Sequence, residues 1–234
     1  MTTNNKGLLD RISISGGHMK KLVTLEEAAS IVKDNSTIMI GGFLKSGSPK
    51  KIIDKMIENG VKDLTLIAND TSFPDSERGK LVVNKMLKKA IVSHIGTNPE
   101  TGKQMNSGEL DVQLVPQGTL AEIIRAGGAG LGGILTPTGI GTIVENGKEI
   151  IELDGKKYIL EKALKADVAV IYGTKVDSHG NVAFYGSTRN FNAIMPMAAE
   201  KVIVEAEEIV EGHLDPNEIV VPGIFVDYII KGGE

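Results

Sequence analysis

The stretch that decides the fold of this chain is Ile38-Met39-Ile40-Gly41-Gly42-Phe43-Leu44-Lys45-Ser46-Gly47-Ser48-Pro49. Residues 37–40 are apolar and rich in β-branched side chains, which predicts a buried strand. The glycines that follow let the backbone leave the strand without a Cβ that would obstruct an incoming group. Ser48 as N-cap and Pro49 at the first helical position predict a helix that ends at Gly60. This arrangement is typical of a site for the anionic or thioester part of a ligand, although an ordinary tight turn has the same pattern.

The rest of the chain alternates predicted strands with predicted helices. Buried strands are expected at residues 63–68, 90–93, 111–115, 168–172 and 201–205, and helices at residues 24–33, 81–87 and 118–125. This alternation favours an α/β fold with a mostly parallel open sheet and helices on both faces. Asp154-Gly155 predicts the turn of a β-hairpin inserted into that sheet. Because no repeat or linker is visible, we expect residues 19–234 to form a single domain.

The N-terminal residues are treated separately. Residues 1–18 are polar and lack the apolar core of a signal peptide. Gly17-His18-Met19 is typical of a tag or cloning-derived leader before a start at Met19. We therefore expect residues 1–18 to be disordered and to lie outside the fold.

Composition excludes several classes of function. The net charge of −4 offers no electrostatic footprint for nucleic acid. No apolar run approaches the roughly 20 residues that span a membrane. With no cysteine there is neither a disulfide framework nor a thiol nucleophile, and we expect a cytoplasmic protein. The four histidines are not at metal-ligand spacing, so no metal site is predicted. His94, at a strand end, either contacts a ligand or is a hydrogen-bonded structural residue.

Residues 128–133 match the glycine pattern of dinucleotide-binding proteins, but they follow a predicted helix instead of a strand, and the sequence stays irregular over residues 135–139. We therefore interpret this segment as a close-packed or mobile glycine loop near the active site. The acidic residues 205–211 are interpreted as a solvated face.

Asn69 and Gln117 each follow a predicted parallel strand, at the edge where open α/β sheets bind ligands. Their amides can donate hydrogen bonds to a carboxylate or to a developing oxyanion. The alternative is that both side chains only cap loops.

The motifs of this chain resemble those of family I coenzyme A transferases, in the α-type subunit. Residues 34–49 fill the signature of that subunit, and five further stretches are similar to the family: residues 66–71, 93–102, 115–120, 125–133 and 189–192. The resemblance implies that Asn69 and Gln117 face the acyl group. It also implies that coenzyme A (CoA) thioesters are substrates, with no permanently bound cofactor. The residues it places against CoA or its thioester are Gly41, Gly42, Phe43, Leu44, Lys45, Ser46 and Gly47.

The family's nucleophile is a glutamate in a Ser-Glu-Asn-Gly string of the β-type subunit, and this chain has no such string. The resemblance therefore implies a β-type partner, in an α₂β₂ or larger assembly, and no catalytic nucleophile here. The implied reaction moves CoA between a short-chain acyl-CoA (acetoacetyl-CoA or butyryl-CoA) and a short-chain carboxylate (acetate, butyrate or acetoacetate). Three alternatives stay open: a succinyl-CoA:3-oxoacid type, a sugar-phosphate isomerase that uses Asp70, and a non-catalytic ligand-binding module.

Overall fold

The computed structural model describes residues 21–232, so the prediction for residues 1–18 lies outside the described part. The strands are β1 (Lys21–Leu22), β2 (Thr37–Ile40), β3 (Leu64–Ala68), β4 (Leu87–Val92), β5 (Asp111–Leu114), β6 (Gly133–Thr136), β7 (Ile150–Leu153), β8 (Lys156–Lys162), β9 (Ala166–Asp177), β10 (Val182–Ala183), β11 (Ala199–Val210) and β12 (Tyr228–Lys231). The α-helices are α1 (Leu25–Ala29), α2 (Lys51–Glu58), α3 (Glu77–Val83), α4 (Pro99–Ser107) and α5 (Gln117–Gly128). Five short 3₁₀ segments complete the chain: Ile143–Glu145, Gly186–Arg189, Phe191–Ala193, Pro196–Ala198 and Gly223–Phe225.

The main sheet has the order β1-β12-β11-β9-β2-β3-β4-β5, and all of these neighbours are parallel. The short β10 adds an antiparallel pairing to β9. Successive residues of β2 face opposite cores, since Ile38 packs with α1, α2 and α3 whereas Met39 packs with α5. The predicted α/β class, with helices on both faces of a mostly parallel sheet, is confirmed.

The predicted hairpin is confirmed, but the insertion is larger than a hairpin. Leu153 pairs with Lys156 across Asp154-Gly155, and both turn residues have positive φ (50° and 72°), as a type I′ turn requires. Strand β6 then pairs with β8 to give a three-stranded antiparallel sheet, β6-β8-β7. Its four residues follow a glycine run and show no alternation, which is why the sequence predicts an irregular segment here.

Helix α2 begins later than predicted, at Lys51, and Ser48 is not its N-cap. The N–H groups of Lys50, Lys51 and Ile52 all donate to the carboxylate of Glu205, at 3.0, 3.2 and 3.1 Å. Glu205 is buried within β11, so the prediction of a solvated acidic face is wrong for this residue. The positive end of α2 is thus already occupied by an anion of this chain.

Two further differences concern helix bounds. The helix predicted at residues 81–87 spans Glu77–Val83, since Leu87 already begins β4. Helix α4 was not predicted. Within residues 21–232, no helix is long and apolar enough to cross a membrane.

Candidate functional site

The sheet reverses its order of connection between β2 and β9. From β2 the chain proceeds outward through β3, β4 and β5 on one side, and the later strands β9, β11 and β12 lie on the other. In open parallel sheets the crevice at the carboxyl ends of such strands is the usual ligand site. The turn of residues 41–48 leaves β2 at this point.

The buried side chain of Arg78 holds this turn in place by hydrogen bonds. Its side chain is fully buried (0% exposed), and its Nη1 donates to the Gly41 carbonyl and to Ser48 Oγ, both at 2.7 Å. Nη2 donates to the Leu44 carbonyl at 3.0 Å and to Asp70 Oδ1 at 2.9 Å. Nε donates to the Asp70 carbonyl at 3.2 Å. All five guanidinium donors are therefore used, and Ser48 serves this network instead of capping α2.

Asp70 completes this hydrogen-bond network, and neither of its carboxylate oxygens is free. Its Oδ2 accepts from Leu44 N at 2.9 Å, while Oδ1 accepts from Ser72 N at 2.7 Å as well as from Arg78. A carboxylate that is 1% exposed and bound in this way does not suit general acid/base chemistry on a substrate. The geometry therefore disfavours the isomerase alternative.

Two asparagines hold the turn from the other side. Asn190 accepts from Gly42 N at 3.0 Å and donates to the Ser46 carbonyl at 3.1 Å. Asn192 donates to the Gly47 carbonyl at 2.8 Å. Both asparagines come from the segment after β10, so they tie the turn to the β9 side of the sheet.

The glycines of the turn are required by packing within the protein. A Cβ on Gly41 would lie 1.7 Å from Asn192 Oδ1, and a Cβ on Gly42 would lie 2.4 Å from Arg78 Nη1. Gly42 and Gly47 also have positive φ (109° and 63°). The interpretation that these glycines open space for an incoming group is therefore wrong for Gly41 and Gly42.

Most N–H groups of the turn have partners in the protein. Phe43 N and Ser46 N exchange hydrogen bonds with each other's carbonyls at 3.0 and 2.9 Å, and Leu44 N donates to Asp70. Within residues 41–48, only the N–H groups of Lys45, Gly47 and Ser48 lack an acceptor among the described residues. The Lys45 ammonium lies 3.8 Å from Asp75, with both side chains largely exposed.

Asn69 and Gln117 line one open cavity of about 380 Å³, together with Phe43, Arg125 and Asn190. Asn69 directly follows β3 and is 3% exposed, yet its amide has no hydrogen-bond partner within residues 21–232. The Asn69 amide atoms are not among the buried side-chain atoms without a partner, so the amide is open to the cavity, where water or a ligand can satisfy it. The prediction that each residue lies at the carboxyl edge of the sheet is confirmed, and the structure brings both to one cavity; their roles stay a prediction.

Ser93 connects the backbone of Asn69 to the side chain of Gln117 and was missed from the sequence. Its hydroxyl donates to the Asn69 backbone carbonyl at 2.7 Å and also makes a short hydrogen bond to Gln117 Oε1. Because a hydroxyl has one hydrogen, these two acceptors share it. When Ser93 donates to Gln117, the amide oxygen is held on Ser93 and the NH₂ group is left for the cavity.

No carboxylate or histidine lines this cavity in the described part of the chain. His94 has an exposed side chain and no hydrogen bond from its ring among the described residues, so it is not a hydrogen-bonded structural residue. Arg125 is the cation at the cavity, and its Nε lies 3.2 Å from Glu122 Oε2.

A second cavity of about 490 Å³ adjoins the turn and is lined by three lysines, Lys45, Lys50 and Lys51. Tyr172 also lines it and donates its hydroxyl to Glu207. Burial and this hydrogen bond raise the pKa of Tyr172 to about 12, so the phenol stays protonated at neutral pH.

The glycine loop lies at the opposite edge of the sheet. Helix α5 runs back from Gln117 to Gly128, and the residues after it line a cavity with Thr37 and Ala166, which begin β2 and β9. The ends of the loop are close-packed, since a Cβ on Gly128 would lie 2.6 Å from Met197 Cβ and one on Gly133 2.4 Å from the Glu161 carbonyl oxygen, whereas Gly130 and Gly132 have open space around them. Helix α5 carries the loop away from the cavity that Asn69 and Gln117 line, so the loop does not adjoin that cavity.

Comparison with known proteins agrees with this geometry. The sequence model of a family described as Coenzyme A transferase matches residues 22–232. The chain belongs to the coenzyme A transferase family. The resemblance indicated by the motifs is thereby confirmed, as is the α-type chain, because similar CoA transferase chains bear that designation.

Two such relatives are alpha subunits. The alpha subunit of the acetate CoA-transferase of Escherichia coli (strain K12) is 54% identical over 215 residues, which cover 92% of this chain and 98% of that protein. The acetoacetyl-CoA:acetate/butyrate CoA transferase alpha subunit of Clostridium acetobutylicum is 50% identical over 212 residues, covering 90% and 97%. One subunit of the succinyl-CoA:3-ketoacid coenzyme A transferase of Helicobacter pylori (strain J99) is 46% identical over 216 residues, covering 92% and 93%.

Solved structures of CoA transferases share the fold. Glutaconate CoA-transferase of Acidaminococcus fermentans superimposes with a TM-score of 0.80 at 21% identity, covering 92% of this chain and 76% of that one. An acyl-CoA transferase of Escherichia coli O157:H7, in a thioester complex with CoA, gives a TM-score of 0.82 at 23% identity. The match covers 92% of this chain but only 48% of that enzyme's chain, so this CoA transferase spans about half of its length.

Proposed function

We propose that this chain is the α subunit of a CoA-transferase that acts on short-chain acids. The reaction moves CoA between acetoacetyl-CoA or butyryl-CoA and acetate, butyrate or acetoacetate. Support comes from the two alpha subunits that are 54% and 50% identical, whose names specify acetate, acetoacetyl-CoA and butyrate. CoA thioesters are substrates in this proposal, and no cofactor is permanently bound.

The observation that carries the proposal is a cavity with two amides and no acid or base. Asn69 and Gln117 line it, and no carboxylate of the described residues does. A thioester exchange needs a nucleophile, so the nucleophile comes from elsewhere. We assign it to a glutamate of a β subunit, in an α₂β₂ or larger assembly, as the resemblance implies.

The proposed mechanism splits the exchange into covalent steps. The partner's glutamate attacks the thioester carbonyl, CoA leaves as the thiolate, and a mixed anhydride forms. The thiolate then attacks the glutamyl carbonyl, which releases the first acid and leaves a glutamyl-CoA thioester. The acceptor carboxylate reverses both steps to form the new acyl-CoA. No net proton is transferred, so neutral amides suffice in this subunit.

Asn69 and Gln117 would donate hydrogen bonds to the oxyanion that forms at each carbonyl attack. Ser93 contributes by fixing Gln117 with its NH₂ group toward the cavity. Losing one preorganised donor typically costs about 3 kcal/mol of transition-state stabilisation, which is a rate loss of about 10²-fold.

For the turn of residues 41–47, we propose that Phe43 and the N–H groups of Lys45 and Gly47 contact the thioester end of CoA. The other N–H groups of this turn have acceptors in the protein. Arg78 thus fixes the backbone of the turn, which leaves two N–H groups and the exposed Phe43 side chain for the substrate.

The test measures loss of acetoacetyl-CoA on addition of acetate or butyrate, with this chain alone, with the β-type chain alone and with both. Activity is expected only in the mixture. Gln117→Ala should then lower kcat by about 10²-fold, whereas Gln113→Ala, an exposed glutamine on β5, should leave kcat unchanged. Turnover by this chain alone would overturn the two-subunit mechanism; binding without turnover in the mixture would favour a non-catalytic module.

A second candidate is a succinyl-CoA:3-oxoacid transferase, which the 46% identical relative represents. Arg125 favours it, because a cation at the cavity can pair with the second carboxylate of a succinyl group. Comparison of succinyl-CoA with butyryl-CoA as donor decides between them. If succinyl-CoA is the donor, Arg125→Gln should raise its KM without raising that for butyryl-CoA.

We also propose a cytoplasmic location and a single domain over residues 19–234. The first is supported by the composition, which contains no cysteine, and the second by the absence of a linker in the sequence.

A further inference from the structure

Two histidines that are far apart in sequence meet where β9 and β11 end. Asp177 and Val210 are the last residues of these strands and are paired in register, so the loops that follow start side by side. The rings of His179 and His213 stack, with centroids 4.3 Å apart and 28° between their planes. Both side chains are exposed. The spacing of these residues in the sequence had predicted no such pair.

Asp177 fixes the backbone beside both histidines. Its Oδ1 accepts from His179 N at 2.9 Å and its Oδ2 accepts from Leu214 N at 3.1 Å. Asn181 supplies two more donors, one to each oxygen, both at 2.9 Å. Burial opposes the charged form, but these hydrogen bonds outweigh it and lower the pKa of Asp177. Four N–H donors fill the acceptor capacity of a carboxylate, so Asp177 is an anchor for the two loops.

Ser178 sets the tautomer of His179. Its hydroxyl donates to the Gly212 carbonyl at 3.0 Å and lies 3.1 Å from His179 Nδ1. Because the single hydroxyl hydrogen is used on Gly212, Nδ1 carries a hydrogen and donates it to Ser178 Oγ. The lone pair of the neutral ring is then on Nε2. This is how a neighbouring acceptor prepares a histidine to bind a metal ion.

We propose that His179 and His213 form a binding site for a divalent transition metal ion such as Zn²⁺, Co²⁺ or Ni²⁺, with water completing the coordination. One ligand atom of each histidine lies within 4.8 Å of the other, and Asp177, whose oxygens are filled by N–H donors, holds the loops that carry them. Two nitrogens on one zinc ion, at about 2.0–2.1 Å each, are at most about 4.2 Å apart. To bind one ion, the stacked rings turn so that their in-plane lone pairs converge on it, which the exposure of both side chains allows. Imidazole nitrogen suits these ions, and soft thiolate ligands are absent from a chain without cysteine.

Such an ion would cross-link the loops that follow β9 and β11. The two histidines lie next to each other only in the folded chain. Metal binding therefore stabilises the fold by mass action. The site contains no residue of the cavity that holds Asn69 and Gln117, so it is independent of the proposed reaction.

The test is calorimetric titration of the full chain with Zn²⁺ alone, at a pH where free imidazole is neutral. One equivalent is expected to bind. His179→Gln and His213→Gln should each weaken binding by about tenfold or more, and Ser178→Ala by roughly tenfold through loss of the tautomer. The matched control is His94→Gln, an exposed histidine on another strand end, which should bind zinc as the wild type does.

Thermal unfolding with and without Zn²⁺ gives a second readout. The midpoint should rise with zinc for the wild type and for His94→Gln, and should not rise for either ligand variant. Because both ligand side chains are exposed, the variants are expected to fold, and their unfolding without metal verifies this. Absence of zinc binding by the wild type, or equal binding by the wild type and both ligand variants, overturns the proposal.

Discussion

Replacing Arg78 by methionine tests whether buried polar contacts hold the turn of residues 41–48. Methionine has a similar length and no donors, so the change removes all five hydrogen bonds of the guanidinium. It also leaves Asp70 buried without its cation. Breaking a buried pair in this way typically costs about 3–5 kcal/mol, because the remaining charge stays desolvated. We expect the free energy of unfolding to fall by that amount.

The measurement is urea unfolding of the full chain, monitored by circular dichroism because the chain has no tryptophan. In thermal unfolding of a chain of this length, the same loss of about 3–5 kcal/mol in Arg78→Met corresponds to a fall in Tm on the order of 10 °C. Lys80→Met is the matched control on the same helix. Lys80 pairs with Asp54 at 2.6 Å, but both side chains are partly exposed, so its loss should cost about 1 kcal/mol or less.

Arg78→Lys keeps the charge but loses the planar fork, so it should fall between the wild type and Arg78→Met. The double variant Asp70→Asn/Arg78→Met removes both charges and should be more stable than Arg78→Met alone. A loss below about 1 kcal/mol for Arg78→Met, equal to that of the control, would refute this reasoning. The turn would then be held by its glycines and asparagines without help from the arginine.

Three further predictions concern the same region. Burial raises the pKa of Glu205. Between the unfolded pKa of about 4.3 and this raised pKa, the folded state therefore binds more protons than the unfolded state. Wild-type stability should fall as pH rises through that range. Glu205→Gln, which stays neutral at every pH, should remove this pH dependence; urea unfolding at several pH values measures it. Gly41→Ala should cost more than about 2 kcal/mol through its clash, by the same unfolding assay. Ser93→Ala should lower kcat with the β subunit by about tenfold and leave KM nearly unchanged, since it acts through the orientation of Gln117.

Each of these has a control in the chain. Glu208→Gln lies on the same strand in an exposed position and should leave the pH dependence of stability unchanged. Gly102→Ala, within α4 and with open space around its Cβ, should stabilise by up to about 1 kcal/mol. Ser93→Thr keeps the hydroxyl and should restore most of kcat. A pH dependence that survives in Glu205→Gln, a neutral Gly41→Ala, or a Ser93→Ala effect on KM alone would each contradict the corresponding argument.

The parts of the fold that sequence could predict are those set by nearby residues. The helix predicted from residue 24 begins with a capping box of Thr24 and Glu27, in which Glu27 N donates to Thr24 Oγ1 at 3.1 Å. Strand β2 has the predicted bounds, and Asp154-Gly155 makes the predicted turn. In each case the stabilising partner lies within a few positions, so the pattern itself contains the interaction.

The start of α2 shows why other parts could not be predicted. Ser48 and Pro49 are a good local signal for a helix N-terminus, but Arg78 Nη1 donates to Ser48 Oγ and Glu205 supplies the cap from β11. A tertiary contact therefore replaced a local one. Helix α4 is a different case, because Asn98 and the following proline were a readable start signal. Its predominantly polar composition hides the periodicity by which helices are usually recognised.

The candidate site likewise contains residues that the sequence predicted and residues that it did not. Asn69 and Gln117 could be placed at one edge because each follows a parallel strand, and β3, β4 and β5 are neighbours. Asn190 and Asn192 had a signal, since they lie in a stretch that resembles the family, but the side of the turn that they hold depends on β9 lying beside β2. Ser93 also lies in a stretch that resembles the family, but the role of its hydroxyl depends on its lying between two residues from neighbouring segments.

The contacts of residues 41–48 also bear on what this subunit contributes to catalysis. A turn fixed by Arg78, Asn190 and Asn192 loses little conformational freedom when a ligand binds, so the ordering cost of binding is small. The same fixed backbone has few free donors, and the positive end of α2 is already paired with Glu205. Strong binding of CoA phosphates by this turn is therefore not expected. The subunit is better suited to orient the reacting carbonyl, with its two amides placed before the substrate arrives and the nucleophile supplied across the interface.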